Sequence, residues 1–245
     1  MKTRRHMRRV AMAAGLAALL AIGGAVTLDR LDAAYPPPLD PAPLSAEVLD
    51  RDGALLRAYA ASDGRWRLPA DIDTLDPQFL KMLVAYEDKR FWSHPGVDMR
   101  ALGRAALQLL WNGRIVSGGS TLSMQLARLT EPREARSFSA KFRQIARALQ
   151  IERRLSKREI LERYLTLAPY GGNLEGVRAA SLAWFGKEPH RLGLEEAALL
   201  VALPQSPEAR RPDRHPQMAK AARDRVLARM AGAGVIIESE VARAS

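Results

Sequence analysis

"FLKMLVAYEDKRFWSHPGVD" (Phe79–Asp98) decides how this chain is read. Leu80, Leu83 and Val84, with Phe91 beyond them, fall at i, i+3, i+4 and i+11, the spacing of a helix face turned toward a core. The position that should continue the stripe, i+7, is Glu87. A carboxylate there would sit partly desolvated at the edge of a core, an environment that suits a general base or acid. Asp88, Lys89 and Arg90 lie off the stripe, and His94-Pro95-Gly96 turns the chain. Taken alone, Glu87 fits a salt-bridged structural role better than a catalytic one, because perturbed carboxylates are often structural.

Outward from this stretch the pattern is helical almost to the end. Asp76-Pro77 forms an N-cap and first-turn pair for the helix that carries Glu87. Helical periodicity returns over Arg100–Trp111, Lys141–Ile151, Lys157–Leu167, Leu194–Leu203 and Gln217–Met230. Glycines break the series at Gly118-Gly119, Gly171-Gly172 and Gly186. Upstream, "AEVLDRDGALLRAYA" (Ala46–Ala60) places Asp52-Gly53 between two apolar runs, which predicts a β-hairpin. The fold class expected is mainly α, with a small β element at the membrane-proximal start of the domain and one transmembrane helix before it.

That transmembrane expectation rests on Val10–Leu28, 19 uncharged and mostly apolar residues, which as a helix would span about 28 Å, close to the thickness of a bilayer core. Residues 1–9 hold five basic residues and no acid, which predicts a cytoplasmic N-terminus with the bulk of the chain outside. A cleaved signal peptide is the alternative, but 19 residues is long for its core and no A-x-A site follows at once. "YPPPLDPAP" (Tyr35–Pro43) reads as a stiff spacer. The expected organisation is a basic tail (1–9), an anchor (10–28), a Pro-rich linker (29–45), a catalytic domain (46–235) and a C-terminal tail (236–245). Of the net charge of +11, the tail accounts for five, leaving +6. Charge alone suits nucleic acid or an anionic membrane equally, and an anchored domain outside the membrane meets phospholipids and cell-wall precursors instead of nucleic acid. The absence of cysteine excludes disulfides and thiolate metal sites.

Three further segments carry candidate chemistry. "SGGSTLSMQLAR" (Ser117–Arg128) is a Gly-Gly loop before a hydroxyl N-cap and a helix bearing Gln125 and Arg128. Free amides at such a start bind phosphates or sugar hydroxyls, and the spacing is not that of a P-loop. "AKFRQIARALQIERRLSKREILERYL" (Ala140–Leu165) sets Phe142, Ile145, Ala146 and Leu149 on one face and Arg143, Arg147 and Arg154 on another. A cationic helix could hold a lipid-linked diphosphate. "LAPYGGNLEGVRAASLAWFGK" (Leu167–Lys187) is glycine-rich, then apolar and aromatic. Each segment by itself also fits a bland role: a capped helix, a solvated basic face or a tight turn before a core helix.

Together and in this order, "EDKRFWSHPGVD", "GGSTLSMQLAR", "SKREILERYL" and "APYGGNLEGVRAASLAWFGK" resemble the peptidoglycan glycosyltransferase domain of family 51, found in class A penicillin-binding proteins and monofunctional transglycosylases. The resemblance covers roughly Asp50–Met230. "VLDRDGALLRAYAASDGRWRLP" and "ALPQSPEARRPDRHP" are most similar to the penicillin-binding protein 1C branch. The resemblance implies a lysozyme-like fold with an apolar jaw that dips into the membrane, and polymerisation of lipid II with release of undecaprenyl diphosphate. It implies Glu87 as the base that deprotonates the acceptor 4-hydroxyl for inverting attack on the donor's anomeric carbon. It implies Asp88, Phe91 and His94 as supports of the site, Ser120, Thr121, Gln125 and Arg128 as substrate-binding residues, and Lys141 as the lysine of the third motif. Partners implied are lipid II, the growing glycan chain, inner-membrane lipids and other cell-wall synthesis proteins, with the catalytic domain periplasmic.

Two departures from the family stand out. Gln144 occupies the position of the family's second important carboxylate, and a glutamine cannot donate a proton as an acid. Diphosphate needs charge neutralisation more than protonation, which Lys141 and Arg128 could supply. Glu152 is no clear replacement, being about 80° of helical rotation from position 144. Thr166, where the family has Asn, is milder. Second, none of the seven lysines follows a serine by three residues, so the chain carries no transpeptidase S-x-x-K motif. These departures keep open a non-catalytic lipid II-binding or scaffold subunit, and a lone carboxylate also suits a lysozyme-like hydrolase. In parts of the family a divalent cation (Mg or Mn) assists at the diphosphate. No ligand cluster here demands one, and His6, His94, His190 and His215 are scattered.

Overall fold

The computed structural model describes residues 2–113, 119–131, 138–237, 239 and 241. The chain divides into two units, Met1–Pro38 and Leu39–Ser245. The first holds one helix, α1 (Lys2–Ala34), which runs through the expected anchor and on past Leu28. Among the described residues no helix is long and apolar enough to cross a membrane. Several side chains of the expected 10–28 anchor, and those of the basic tail, lie outside the described residues.

The second unit starts with the expected hairpin, β1 (Ala46–Leu49) antiparallel to β2 (Leu55–Tyr59). Asp50 shapes its loop by accepting from the amides of Asp52 and Ala54, and Gly53 takes the positive φ of 81° that the turn needs. A second sheet, of order β3-β5-β4, was not expected. β3 (Trp66–Arg67) runs parallel to β5 (Leu174–Glu175), which is antiparallel to β4 (Pro169–Gly171). Strands of two or three residues leave no alternation in the sequence to read. Buried Arg67 stitches this sheet together, donating to Glu175 and Asp63.

The helices follow the caps and periodicities: α2 (Pro77–Glu87), α3 (Met99–Asn112), α4 (Leu122–Thr130), α5 (Phe138–Glu152), α6 (Lys157–Leu167), α7 (Val177–Phe185), α8 (Leu194–Ala202) and α9 (Pro216–Gly232). Asp76 caps α2 by accepting from the amides of Gln78 and Phe79. Ser156 and Glu159 form a capping box on α6. Apolar α8, buried at Ala197, Ala198, Leu200, Val201 and Ala202, is the central element, packed against α2 and α9. α4 lies against α5 and α6. The main core joins Phe79, Met82, Leu83, Leu126, Ile160, Val201 and Val226.

Two apolar faces differ from their expected membership. On α2 the fully buried residues are Phe79, Met82 and Leu83, while Leu80 and Val84 are only half-buried. The stripe is therefore rotated, and Glu87, at the helix's last position, flanks it. On α5 the packed residues are Ile145, Ala148 and Leu149, whereas Phe142, a turn earlier than Ala146, is 71% exposed.

Candidate active site

Glu87 is where α2 stops. Its helix is held at the start by Asp76 and ends as Asp88 leaves helical geometry, with the Asp88 amide still bonded to the Val84 carbonyl. The half-buried Glu87 carboxylate is gripped from two sides. Gln125 of α4 donates from Nε2 to Oε2 at 2.8 Å, and Gln205 donates from Nε2 to Oε1 at 2.8 Å. Two amide donors, one on each oxygen, fix the orientation of the carboxylate. Behind it stand Tyr164 of α6 and Tyr170 of β4. Burial first, and the neighbouring Glu87 charge second, raise the pKa of both phenols. Both therefore stay protonated near neutrality.

The residues after Glu87 build the wall that holds it. The buried Asp88 carboxylate accepts from His94 Nε2 at 2.9 Å and from the Leu122 amide, at the start of α4, at 3.0 Å. His94 Nδ1 accepts from the Gly96 amide at 3.1 Å, which assigns the neutral ring with its proton on Nε2. Thr121 caps α4 by accepting from Met124 N and donates to the Gly96 carbonyl. Phe91 is fully buried, with its ring beneath Lys157 Nζ at 4.5 Å. Lys157 in turn bonds Glu152 at 2.6 Å, and Glu152 also receives the Ser123 hydroxyl. Glu152 is thus committed to structure. Asp88, Phe91, His94 and Thr121 are all buried and hold the loop in place, with none of them at the surface of the site.

Gly96 is the tightest point of this wall. Its φ is +93°, and a Cβ there would lie 2.7 Å from the Ala148 carbonyl oxygen. Gly96→Ala is expected to cost at least about 2 kcal/mol, seen as a lower midpoint in thermal denaturation followed by circular dichroism. The far end of the loop is pinned by Arg90, whose Nε reaches Asp98 at 2.9 Å. Burial alone would raise the Asp98 pKa, but the Arg90 guanidinium and the Ala101 amide outweigh it and hold the carboxyl below its usual range. A depressed folded-state pKa gives stability that is present above the unfolded value, about 3.9, and is lost as pH falls through the folded value. Asp98→Asn is expected to cost about 1–3 kcal/mol at pH 7. That difference should shrink as pH falls below the unfolded value and through the lower folded one, which denaturation across pH checks.

On the other side of Gln125 lies a cationic surface. Arg128, one turn further along α4, is exposed. Lys141 Nζ of α5 contacts Ser120 Oγ at 2.6 Å. Burial first, and the Arg128 charge second, push the Lys141 pKa down, the state of an ammonium short of anionic partners. Gln144 sits one turn after Lys141, half-buried. Thr166 accepts from the Ala70 amide at 3.1 Å and donates to the Glu162 carbonyl, so this departure serves packing. Ser117 and Gly118 of the same motif lie outside the described residues. Among the described residues no group of three His, Asp or Glu side chains could hold a metal ion. The two carboxylates nearest the site, Glu87 and Asp88, are already taken up by amide and imidazole donors, so the residues present do not fit a protein-held cation.

The structure thus brings Glu87, Gln125, Arg128, Lys141 and Ser120 together and adds residues the sequence did not single out. Gln205, Arg210, Tyr164 and Tyr170 all bear on Glu87. The only sequence signal for Gln205 and Arg210 was "ALPQSPEARRPDRHP", read as a branch resemblance without a role. A separate cavity of about 550 Å³, lined by Leu55, Trp66, Leu182, Trp184 and Arg211 among others, contains none of the predicted site residues.

Comparison with known proteins identifies the family of the chain. A family model described as Transglycosylase matches residues 52–231. Penicillin-binding protein 1C of Escherichia coli is 49% identical over 210 residues, covering 86% of this chain and 27% of that protein. Penicillin-binding protein 1A of Aquifex aeolicus is 39% identical over 194 residues, 79% of this chain and 26% of that protein. Penicillin-binding protein 1F of Bacillus subtilis is 33% identical over 200 residues, 82% of this chain and 28% of that protein. The chain therefore spans about a quarter of the length of these relatives. The higher identity to the 1C protein agrees with the branch resemblance carried by the two outlying segments.

Proposed function

Because this chain belongs to the transglycosylase family, we propose that it is a peptidoglycan glycosyltransferase that polymerises lipid II, with Glu87 as the general base. The observation that carries the reading is the Glu87 carboxylate held between Gln125 and Gln205, beside the cations Arg128 and Lys141. One acidic oxygen is fixed and next to it lies a surface suited to diphosphate. In the reaction, Glu87 takes the proton of the acceptor sugar's 4-hydroxyl. The freed oxygen pair attacks the donor's anomeric carbon from the face opposite the diphosphate. The anomeric C–O bond breaks, and its electron pair leaves with undecaprenyl diphosphate. Lys141 and Arg128 meet the charge that grows on the departing oxygen. Purified protein given lipid II should form glycan polymer, read by gel separation of labelled product.

The proposed setting is the outer face of the bacterial inner membrane, with residues 10–28 of α1 as a single-pass anchor and the N-terminus cytoplasmic. Support comes from the apolar run itself and from exposed apolar side chains on α3 and α5: Met99, Leu107, Trp111 and Phe142. Exposed apolar side chains of this kind suit lipid contact. A non-catalytic lipid II-binding subunit is the second reading, motivated by Gln144. It predicts lipid II binding by the wild type with no polymer formed.

A further inference from the structure

We propose that Gln205, which lies outside the four motif segments, is a positioning residue for Glu87. The proposal rests on the reading of Glu87 as the base and adds a group from a distant part of the chain to it. Gln205 ends the short 3-10 turn Leu203–Gln205 that follows α8. Its Nε2 reaches Glu87 Oε1 at 2.8 Å, across 118 residues of sequence.

A glutamine amide can present either its NH₂ or its oxygen, and its neighbours decide which. Arg210 Nη1 lies 3.3 Å from Gln205 Oε1 and also donates to the Ala202 carbonyl. A guanidinium only donates, so it claims the amide oxygen and leaves the NH₂ for Glu87. The same logic holds on the other side, where the Tyr164 hydroxyl lies 3.4 Å from Gln125 Oε1. Each carboxylate oxygen thus faces an amide whose orientation is set by a third group: Arg210–Gln205–Glu87–Gln125–Tyr164. The Gln125 arm is inside the fold. The Gln205 arm is exposed. Without it, Glu87 Oε1 loses its amide donor and only the Gln125 bond to Oε2 is left to set the terminal torsion.

The charged or titratable groups facing Glu87 are Tyr164 from α6, Tyr170 from β4 and Arg210 from the segment after α8, with Arg128 of α4 beyond Tyr164. The phenols stay neutral and the guanidinium stays charged through the range where a carboxylate titrates. Movement of the acidic limb of the rate profile on changing position 205 therefore reports on Glu87.

The test measures kcat and KM for lipid II polymerisation across pH with the full chain, for wild type, Gln205→Leu and Gln205→Glu. Gln205→Leu is expected to lower kcat about tenfold or more, with KM changed by less than about threefold, and to move the acidic limb upward. Gln205→Glu, which sets a like charge against Glu87, should move the limb further, by more than about one pH unit. Wild-type kcat and an unmoved limb in both variants, or a change in KM alone, overturns the proposal. Glu87→Gln run alongside separates the two ideas. If that variant polymerises at the wild-type rate, Glu87 is not the base; if only the position 205 variants are silent, the positioning role alone fails.

Discussion

Glu87→Gln is expected to reduce lipid II polymerisation about 10²–10⁴-fold, the usual contribution of a general base, while leaving the protein folded. The substitution nearly preserves size, and the new amide oxygen can still accept from one of the two flanking glutamines, so packing should survive. The proton acceptor does not survive. Tyr164 and Tyr170 cannot stand in, because burial, the larger cause of their raised pKa, holds them protonated even without the Glu87 charge. Glu152 cannot either, being bonded to Lys157 and Ser123, nor can Asp88, which is locked between His94 and the Leu122 amide. Retained binding of lipid II with polymerisation lost is the expected pattern. Polymer made at an undiminished rate contradicts the assignment.

The second large effect is expected at Lys141. Removing its ammonium with Lys141→Ala should lower kcat/KM about 10²–10³-fold, the usual cost of deleting one group that meets developing charge. The diphosphate is anionic already in bound lipid II and gains further charge as it leaves. Part of the loss should therefore fall on kcat as well as KM. Burial and Arg128 make the ammonium costly in the free protein, so an arriving anion relieves that cost. Gln144, one turn along α5, brings no acid to compete. A Lys141→Ala enzyme with unchanged kcat places the leaving group elsewhere.

How far the sequence foretold this arrangement differs by element. α6 is legible to its boundaries, Lys157–Leu167, because a period of 3.6 is a local signal. The hairpin around Gly53 was legible for the same reason. The sheet of β3, β4 and β5 was not, since it pairs residues about a hundred positions apart through strands too short to show alternation. The α2 stripe was read as Leu80–Leu83–Val84, whereas packing selected Phe79, Met82 and Leu83. Neighbouring apolar residues on one helix leave the exact rotation to tertiary contacts.

The site shows the same division. Spacing alone gave Glu87 only as an odd residue, and its link to Gln125 and Lys141 came through the resemblance of ordered motifs. The buried roles of Asp88 and His94 depend on the Leu122 amide and the Gly96 loop, which meet only in the folded chain. Gln205 stood only in a segment that carried a branch resemblance and no role, because its meaning is a contact with Glu87 on a different element.

The central claim is that this chain is a glycan polymerase. Its most direct test is the product formed when purified wild-type protein meets lipid II. The account predicts glycan strands lengthening with time, with one undecaprenyl diphosphate released for each disaccharide added. Lipid II bound but left unpolymerised under conditions in which a related enzyme works, or sugars released from finished peptidoglycan, contradicts it.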